Sequence, residues 1–397
     1  MITDRVFGVL RAAGSGETRP RNGAVSRRSF VAACAGFCAA CAIGRGSVFA
    51  APKAFPPYPQ GPKEARYYEK LGNGVVRCGV CPRRCVIPEG ERGFCSTREN
   101  RGGTLYSLVY GRVASMAVDP IEKKPLFHFL PGSQAYSIAT AGCNFTCKFC
   151  QNYTLSQAKP EELRSQFMSP ETLASEAKAS GAQSIAYTYN EPTVFTEFAR
   201  DCAAAGKRLG IRSVVISNGF INPEPLERLA EVIAAYKVDF KAFSKSFYKE
   251  VTGGDREPVL ATIKLLRKLG VWMELVHLTI PTLNDAEGDL KGMGDWLMGE
   301  VGPDVPVHFT QFHPTYRLTN LPVTPVSTLE KARDILMGKG MRFVYIGNVP
   351  GHSGESTYCP KCGKMVIERI GYETVKRANF TGGKCGSCGT PIPGVWS

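Results

Sequence analysis

Fifteen cysteines constrain the chemistry of this 397-residue chain more than any other feature of its sequence. Most of them fall into groups with CxxC-type spacing. Two cysteines three positions apart rarely form a disulfide with each other, whereas their thiolates readily bind one metal. The sequence therefore predicts reduced, metal-binding cysteines. The three groups are Cys78, Cys81, Cys85 and Cys95; Cys143, Cys147 and Cys150; and Cys359, Cys362, Cys385 and Cys388.

The middle group lies in a loop with the spacing CxxxCxxC, directly after a predicted strand. A [4Fe–4S] cluster is normally held by four cysteine thiolates. A loop with three thiolates leaves one iron open for another ligand, which suits a catalytic cluster. The spacing alone also permits a structural zinc site that is completed by another cysteine or by a histidine.

The last group has two CxxC pairs separated by 22 residues, and a glycine follows the second cysteine of each pair. Each pair predicts a turn that points two thiolates at one ion, and four thiolates complete the tetrahedral coordination of zinc. We therefore predict a structural zinc site of the ribbon type with a role in folding or docking. A rubredoxin-like iron site is the alternative.

The first group has the spacing CxxC-x3-C-x9-C. Four thiolates can hold either zinc or an auxiliary [4Fe–4S] cluster, and the spacing favours zinc only slightly. Cys202 lies among alanines in a predicted helix, where we expect a small core residue. Cys34, Cys38 and Cys41 fall in an alanine-rich segment, where we interpret their spacing as coincidence.

Residues 1–50 resemble a twin-arginine export signal, because Arg27 and Arg28 precede an apolar run over residues 30–43 and a small-residue site at Ala50. Spanning a bilayer takes about 20 apolar residues, so the run predicts a signal segment and no transmembrane span. A leader added by an upstream start codon is the alternative. A proline-rich linker follows over residues 51–66.

The formal net charge of +14 is spread unevenly, since residues 1–50 carry +5 of it. The rest of the chain has no block of lysine and arginine typical of a nucleic-acid-binding arm. A basic surface of this kind can meet an acidic protein, an RNA or nucleotide phosphates, and charge alone does not choose among them. Nucleic acid is therefore not indicated as a partner.

The body of the chain alternates predicted strands with predicted helices, which indicates βαβ units and a parallel sheet. We predict an α/β fold, a full or partial (β/α) barrel over residues 134–350, with a cysteine-rich segment over 67–133 before it and a zinc-ribbon-like module over 351–397 after it. The predicted strands cover residues 135–141, 184–189, 212–217, 236–241, 271–279 and 307–312. The predicted helices cover residues 169–180, 193–209, 223–235, 258–269, 286–298 and 328–339.

Unusual polar motifs follow the predicted strands, at the ends where chemistry is found in such barrels. These motifs are the cysteine loop at Cys143, Tyr189-Asn190-Glu191-Pro192, Ser217-Asn218-Gly219, Asp239-Phe240-Lys241 and Gln311-Phe312-His313-Pro314. We expect them to meet at one edge of the sheet.

Several long motifs make the chain similar to radical S-adenosylmethionine (SAM) enzymes of the pyruvate formate-lyase-activating type. The more detailed resemblance is to the radical SAM member of the AmmeMemoRadiSam system. It covers nearly the whole chain after the linker. The motifs that carry it are Cys78-Gly79-Val80-Cys81-Pro82, Val118-Asp119-Pro120-Ile121-Glu122-Lys123-Lys124-Pro125, the loop from Gly142 to Cys150 with Gln151-Asn152 after it, and Tyr345-Ile346-Gly347-Asn348-Val349-Pro350-Gly351-His352.

The resemblance implies a [4Fe–4S] cluster on Cys143, Cys147 and Cys150, with SAM bound to its open iron. It places Phe149 near the adenine. Asn190-Glu191-Pro192 takes the place of a Gly-Gly-Glu segment of the family. Glu191 is thus expected to bind the SAM amino group, and Asn190 departs from the pattern where a glycine would stand.

The resemblance also implies contacts to the rest of SAM. Ser217 and Asn218 are expected near the ribose or the methionine portion. Asp239 and Lys241 match a DxK segment in which the lysine binds the SAM carboxylate, and His313 matches a histidine near the nucleoside. A structural role is the alternative for several of these residues, because an acid often favours a helix N-terminus and an Asp–Lys pair is often a salt bridge.

The resemblance implies reductive cleavage of SAM to a 5′-deoxyadenosyl radical, which abstracts hydrogen from an unknown substrate. The expected partners are a low-potential electron donor such as flavodoxin or ferredoxin, and a protein substrate or a Memo-type or AMMECR1-type protein. SAM and such donors are cytoplasmic, whereas the signal indicates export to the periplasm, so the location stays open. The alternatives are a zinc-only module that binds protein or RNA, and an inactive envelope scaffold with the same fold.

Overall fold

The computed structural model describes residues 62–397. The predicted signal segment over residues 1–50, with Cys34, Cys38 and Cys41, and the linker as far as residue 61 lie outside the described residues.

Small antiparallel sheets come first in the described chain. One contains β1, β6 and β5, another contains β2, β3 and β4, and β7 pairs with a later strand, β10. The strands are β1 Lys63–Glu64, β2 Tyr68–Gly72, β3 Val75–Cys78, β4 Val86–Ile87, β5 Arg98–Arg101, β6 Thr104–Ser107 and β7 Arg112–Val113.

An eight-stranded central sheet forms the core of the fold, in the order β16-β15-β14-β13-β12-β11-β9-β8. The seven strands from β9 to β16 in this sheet are parallel, and β8 pairs with β9 antiparallel. The strands are β8 Ser115–Pro120, β9 Gln134–Ala139, β10 Gln166–Phe167 outside this sheet, β11 Ser184–Tyr187, β12 Arg212–Ser217, β13 Ala235–Asp239, β14 Trp272–Thr279, β15 Val307–Gln311 and β16 Val344–Gly347.

Helices connect the parallel strands, as the alternating pattern predicts. They are α1 Tyr153–Ser156, α2 Pro170–Ala179, α3 Thr196–Arg208, α4 Pro223–Ala230, α5 Lys245–Phe247, α6 Arg256–Leu269, α7 Glu287–Glu300 and α8 Val326–Gly338. A π-helix over Tyr248–Thr252 extends α5, and short 3-10 helices cover Ile121–Lys123, Pro160–Glu162, Pro192–Phe195 and Ser353–Glu355. Ser169 caps α2 by accepting the Thr172 N–H at 3.1 Å.

The central sheet is open in the described part of the chain, since β8 and β16 are its two edge strands. Closure into a full barrel is therefore not observed there. Both edge strands escape the sequence prediction: β8 is antiparallel with a half-exposed pattern, and β16 has only four residues. The helix predicted over residues 223–235 ends earlier, at Ala230, and the remaining residues lead into β13.

A buried carboxylate ties the segment after β8 to the middle of the sheet. Glu274 on β14 is 0% exposed and accepts the backbone N–H groups of Phe127 and His128 at 2.9 and 2.8 Å. His308 on β15 lies 2.8 Å from the same carboxylate. The chain end joins this segment, because Val395 exchanges backbone hydrogen bonds with His128 and Leu130.

Five short strands form the C-terminal module that contains the last four cysteines. They are β17 Thr357–Tyr358, β18 Met365–Ile370, β19 Glu373–Lys376, β20 Phe380–Thr381 and β21 Lys384–Cys385. Arg369 on β18 is 2% exposed and donates to the Phe127 carbonyl at 2.6 Å. This bond attaches the cysteine module to the segment that Glu274 holds.

A buried ion pair attaches the N-terminal cysteine segment to the central fold. Arg98 on β5 donates to both carboxylate oxygens of Glu197 on α3, at 2.8 and 2.6 Å, and the two side chains are 1% and 2% exposed. Such a bidentate pair fixes orientation as well as distance. It lies in the interior although its residues are far apart in sequence.

We expect Arg98→Met to lower the free energy of unfolding by about 3–5 kcal/mol, because the Glu197 carboxylate is left buried without its partner. The double variant Arg98→Met/Glu197→Leu should recover most of this loss. Urea denaturation under anaerobic conditions measures both. Arg208→Met is the matched control, since its ion pair with Glu171 is largely exposed and should change stability by less than about 1 kcal/mol. Equal losses in the single and double variants would contradict the expectation.

Candidate active site

A cavity of about 440 Å³ lies where the parallel strands end, as the polar motifs predict. It is bordered by residues that follow β9, β11, β12 and β13 and by others from β14, β15 and the segment after β8. The charged and sulfur-containing side chains that line it are Cys143, Cys147, Cys150, Glu191, Asp239, Lys123, Lys124, Lys237 and Lys241.

The backbone of the cysteine loop is held by groups from several parts of the chain. The Asn190 side chain donates to the carbonyls of Ala141 and Gly142 at 3.1 and 3.0 Å. Arg83, between the N-terminal cysteines, donates to the Asn144 carbonyl at 2.8 Å. These bonds fix a loop that has no regular secondary structure of its own.

The π-helix after α5 holds the other side of the loop. The Thr146 and Lys148 N–H groups donate to the carbonyls of Thr252 and Val251 at 2.9 and 3.0 Å. Gly142 has φ +85°, and a Cβ there would lie 2.7 Å from the Cys95 carbonyl oxygen. A side chain at this position therefore meets both backbone strain and a clash.

The three loop thiols lie against the cavity in a poorly solvated setting. Burial raises the pKa of Cys147 to about 12, where the Lys241 ammonium opposes the shift, and burial also raises the pKa of Cys143 well above its usual value. Binding a metal to Cys143 and Cys147 therefore requires that their protons be displaced.

Glu191 is fully buried between β11 and β12. Its Oε1 accepts hydrogen bonds from the Thr193 N–H at 3.0 Å and from the hydroxyls of Thr193 and Ser217, both at 2.7 Å. Its Oε2 accepts one bond, from the Asn218 N–H at 2.8 Å. Burial raises the pKa of Glu191 and these donors oppose the rise. Since a carboxylate oxygen has more than one acceptor site, Oε2 keeps capacity for a further donor.

Two lysines share one carboxylate at the end of β13. Asp239 binds the ammonium of Lys237 and lies 3.5 Å from that of Lys241. The two ammonium groups lower the pKa of Asp239 against the effect of burial. The Lys241 ammonium also lies 5.5 Å from the centre of the Phe149 ring, which is itself against the cavity.

The structure does not bring all the predicted site residues to the cavity wall. Asn218 lines it and donates to the Asn144 side chain at 2.8 Å. Ser217 lies behind Glu191, to which it donates, and does not belong to the lining. His313 is exposed and lies outside the lining.

Other cavity residues escape the sequence prediction of the site. Lys123 and Lys124 follow the antiparallel strand β8, Lys237 lies within β13, and Tyr189 begins the predicted Asn-Glu-Pro motif. Tyr372, in the turn between β18 and β19, reaches the same cavity from the C-terminal module. The sequence did contain a signal for Lys123 and Lys124, because they belong to the motif around Asp119 on which the family resemblance rests.

The four C-terminal thiols are already gathered for one ion. Cys359 and Cys388 have their Sγ atoms 3.5 Å apart, and those of Cys362 and Cys385 are 3.7 Å apart. All four lie within 4.8 Å of one another. A zinc ion with bonds of 2.3 Å separates its tetrahedral sulfurs by about 3.8 Å. This group can therefore bind a metal ion.

The other two cysteine groups have a wider spacing. Within residues 62–397, the C-terminal thiols are the only three or more His, Cys, Asp or Glu ligand atoms that all lie within 4.8 Å of one another. The N-terminal group and the loop group share the wider spacing, which distinguishes them from the C-terminal group.

Comparison with known proteins supports the interpretation of the cavity as a radical SAM active site. Residues 137–291 match the domain of the radical SAM superfamily. This chain therefore contains a radical SAM superfamily domain. This chain is also 46% identical over 331 residues to an uncharacterized protein of Methanocaldococcus jannaschii. The aligned region covers 83% of this chain and 98% of that protein.

Solved structures with partial similarity include two radical SAM proteins. A radical SAM methyltransferase from Sphaerobacter thermophilus is 16% identical, with a TM-score of 0.44, over 57% of this chain and 71% of its own. A domain of a pyruvate-formate lyase-activating enzyme from Bacteroides vulgatus is 15% identical, with a TM-score of 0.38, over 42% of this chain and all of its own.

Membership of the superfamily implies that this radical SAM protein is an enzyme that cleaves SAM at an iron–sulfur cluster and needs an electron donor. The predicted superfamily is therefore confirmed. No helix within residues 62–397 is both long and apolar enough to cross a membrane.

We expect the double variant Cys362→Ser/Cys388→Ser to lose about one metal ion per chain, because two ligands of a four-thiolate site are removed. The variant should also have a lower melting temperature, since metal binding stabilises such modules. Elemental analysis and thermal unfolding measure these effects. Cys202→Ala, which alters a buried cysteine of the core, is the control and should keep the full metal content. Unchanged metal in the double variant would contradict the assignment.

Proposed function

We propose that this chain holds a [4Fe–4S] cluster on Cys143, Cys147 and Cys150, binds SAM beside it, and cleaves SAM reductively to methionine and a 5′-deoxyadenosyl radical that abstracts hydrogen from a substrate. One observation carries the proposal. Three cysteines from one loop line the same cavity as a buried carboxylate, Glu191, and a partly buried ammonium, Lys241.

The side chains around the cavity fit both groups. Three thiolates would hold a four-iron cluster and leave one of its irons without a protein ligand, free to bind SAM. SAM carries an amino group and a carboxylate, and the same wall offers an acceptor on Glu191 and a donor on Lys241. When bound, the reduced cluster supplies the electron that breaks the S–C5′ bond.

Each residue then has a defined task. Glu191 Oε2 accepts from the SAM amino group, while Ser217 and Thr193 hold the carboxylate in place through Oε1. Lys241 binds the SAM carboxylate as a point charge, with Asp239 positioning it. Phe149 packs beside the adenine.

Asn218 and His313 complete the proposed SAM contacts. Asn218 lies between Glu191 and the cysteine loop, so it is placed to reach the ribose or the methionine portion. His313 is exposed after β15 and outside the cavity lining, and its proposed place near the nucleoside rests on the resemblance alone.

Asn190 has a different task from the glycine that the family pattern expects at its position. Its side-chain NH2 group donates hydrogen bonds to loop carbonyls, and its side-chain oxygen accepts a hydrogen bond from the Thr140 N–H at 3.1 Å. The side chain therefore keeps the loop backbone paired and positions the cysteines.

The finer assignment follows the resemblance. We propose an enzyme of the pyruvate formate-lyase-activating type, within the AmmeMemoRadiSam system, that receives electrons from a flavodoxin or a ferredoxin and acts with a Memo-type or AMMECR1-type partner. We also propose zinc for the C-terminal group, in a ribbon-like module over residues 351–397 that follows the SAM-binding unit over 134–350. The gathered C-terminal thiols support a single four-coordinate metal ion, since their spacing matches that of sulfurs around one zinc.

For the N-terminal group we propose a second [4Fe–4S] cluster in place of the zinc that the spacing slightly favours. Thiolates that bind separate corners of a cluster lie farther apart than thiolates around one ion. Cys78, Cys81, Cys85 and Cys95 are not gathered within 4.8 Å, unlike the C-terminal group. A zinc-only module is supported by one of the three groups and not by the other two.

We expect the anaerobically reconstituted protein to form 5′-deoxyadenosine from SAM and dithionite, and the variant Cys143→Ala/Cys147→Ala/Cys150→Ala to form none. Chromatography measures the product.

Glu191→Gln and Lys241→Met should each weaken SAM binding about ten- to a hundredfold, because each removes a charged hydrogen bond. Lys331→Met, on the exposed face of α8, is the control. Absence of product from protein with a loaded cluster and bound SAM would contradict the proposal.

The same triple cysteine variant tests the N-terminal group. We expect it to keep about four irons and four sulfides per chain, as one remaining cluster requires. Adding Cys81→Ser and Cys85→Ser should remove them. Iron and sulfide analysis, with electron paramagnetic resonance of the reduced protein, measures both. Zinc in place of iron in the triple variant would contradict a second cluster.

A further inference from the structure

A group of charged side chains in the cavity takes no part in the proposed SAM contacts. Asp119, on β8, binds the ammonium of Lys123 through Oδ1 at 2.8 Å and that of Lys124 through Oδ2 at 2.6 Å. The Tyr189 hydroxyl donates to the same Oδ2. Lys123, Lys124 and Tyr189 line the cavity. We call these four residues the Asp119 group.

The backbone of Asp119 lies at the opposite end of β9 from the cysteine loop. Asp119 pairs with Ala135 near the start of β9, whereas the cysteine loop follows the end of that strand at Ala139. Four residues of strand span roughly 13 Å. The backbones of Asp119 and of the cysteine loop are therefore separated along the sheet, while the side chains of Lys123, Lys124 and Tyr189 line the same cavity as the cysteines.

The Asp119 group carries an excess of positive charge. Hydrogen bonds from the two lysines hold the pKa of Asp119 well below its usual range, against the effect of burial, so one carboxylate faces two ammonium groups. Lys124 is 2% exposed and also lies 4.7 Å from the centre of the Tyr189 ring. An ammonium has three N–H donors, and Asp119 accepts one from each lysine.

Backbone strain at Tyr189 supports a functional role. Tyr189 has φ +67°, a conformation that is costly for a bulky side chain. It directly precedes the Asn190-Glu191 motif, and its hydroxyl reaches Asp119. Strain of this kind persists where surrounding contacts impose it, and it concentrates at ligand sites. Here the contact connects the SAM-binding wall to the Asp119 group.

We propose that Lys123 and Lys124 bind an oxyanion, a phosphate or a carboxylate, on the substrate that receives the radical. Asp119 and Tyr189 position the two lysines. The inference rests on the proposed function, which identifies the second ligand as the substrate, and it adds that this substrate has a negatively charged group. Since Lys124 is nearly inaccessible from outside, the anion must enter the cavity to reach it.

The test measures binding of inorganic phosphate and of acetate to the anaerobically reconstituted full chain with SAM present, by equilibrium dialysis. We expect saturable binding of one of the two anions, weakened at least tenfold in Lys123→Met and in Lys124→Met. Lys331→Met is the matched control and should bind the anion as the unaltered chain does. The preferred anion distinguishes a phosphate from a carboxylate substrate. Lys123 is 44% exposed, so its variant tests the proposal even if Lys124→Met fails to fold.

Two results would overturn the proposal. One is anion binding that is absent, or equal in Lys123→Met and Lys331→Met. The other is a loss of SAM affinity in Lys123→Met as large as that in Lys241→Met, which would assign these lysines to the SAM carboxylate. Failure of the proposed function is a separate outcome, because it appears as a lack of 5′-deoxyadenosine from the unaltered chain, whatever the anion binding shows.

Discussion

The pairing of the backbone in the cysteine loop is the interaction on which the rest of the site depends. The loop follows β9 and has no ladder or helix to satisfy its carbonyls and N–H groups, and each buried group left unpaired would cost about 1–3 kcal/mol. Asn190, Arg83 and the π-helix over Tyr248–Thr252 supply the partners. Three separate parts of the chain must therefore fold before three thiols can face one cavity.

Charge in the cavity follows a second rule, that a buried charge needs a partner. Each carboxylate there is paired with ammonium groups or with several hydrogen-bond donors. Asp239 and Asp119 each bind two lysines, while Glu191 accepts four bonds from its neighbours. The excess of ammonium over carboxylate gives the cavity a preference for ligands with negative groups, and both the SAM carboxylate and the proposed substrate anion use it.

The cysteine groups differ in what their surroundings allow. The C-terminal thiols lie on short hairpins that bring four sulfur atoms to the spacing of a single tetrahedral ion. The N-terminal group instead packs against the cysteine loop, where the Cys95 carbonyl leaves no room for a Cβ at Gly142. This close approach makes the N-terminal segment part of the wall behind the cluster loop, and the Arg98–Glu197 pair keeps it there.

Local sequence patterns were sufficient to predict part of the fold and part of the candidate site. The alternation of strands and helices and the motifs after the strands predicted the parallel sheet and the meeting of Glu191, Asn218 and Lys241 at one edge, while the superfamily was predicted by the resemblance of several long motifs. These features depend on period, on turn residues and on the rule that parallel strands end together, all of which a sequence displays.

Contacts between distant segments were decided only by the tertiary structure. Lys123 and Lys124 follow an antiparallel edge strand, so no rule about parallel strand ends places them in the cavity, and Tyr372 reaches it from the C-terminal module. Ser217 was expected to face SAM, yet its hydroxyl turns to Glu191 because that buried carboxylate needs donors. The separations within each thiol group depend equally on how hairpins and loops pack. Sequence spacing determines which cysteines share a site, whereas packing determines how far apart their sulfur atoms lie.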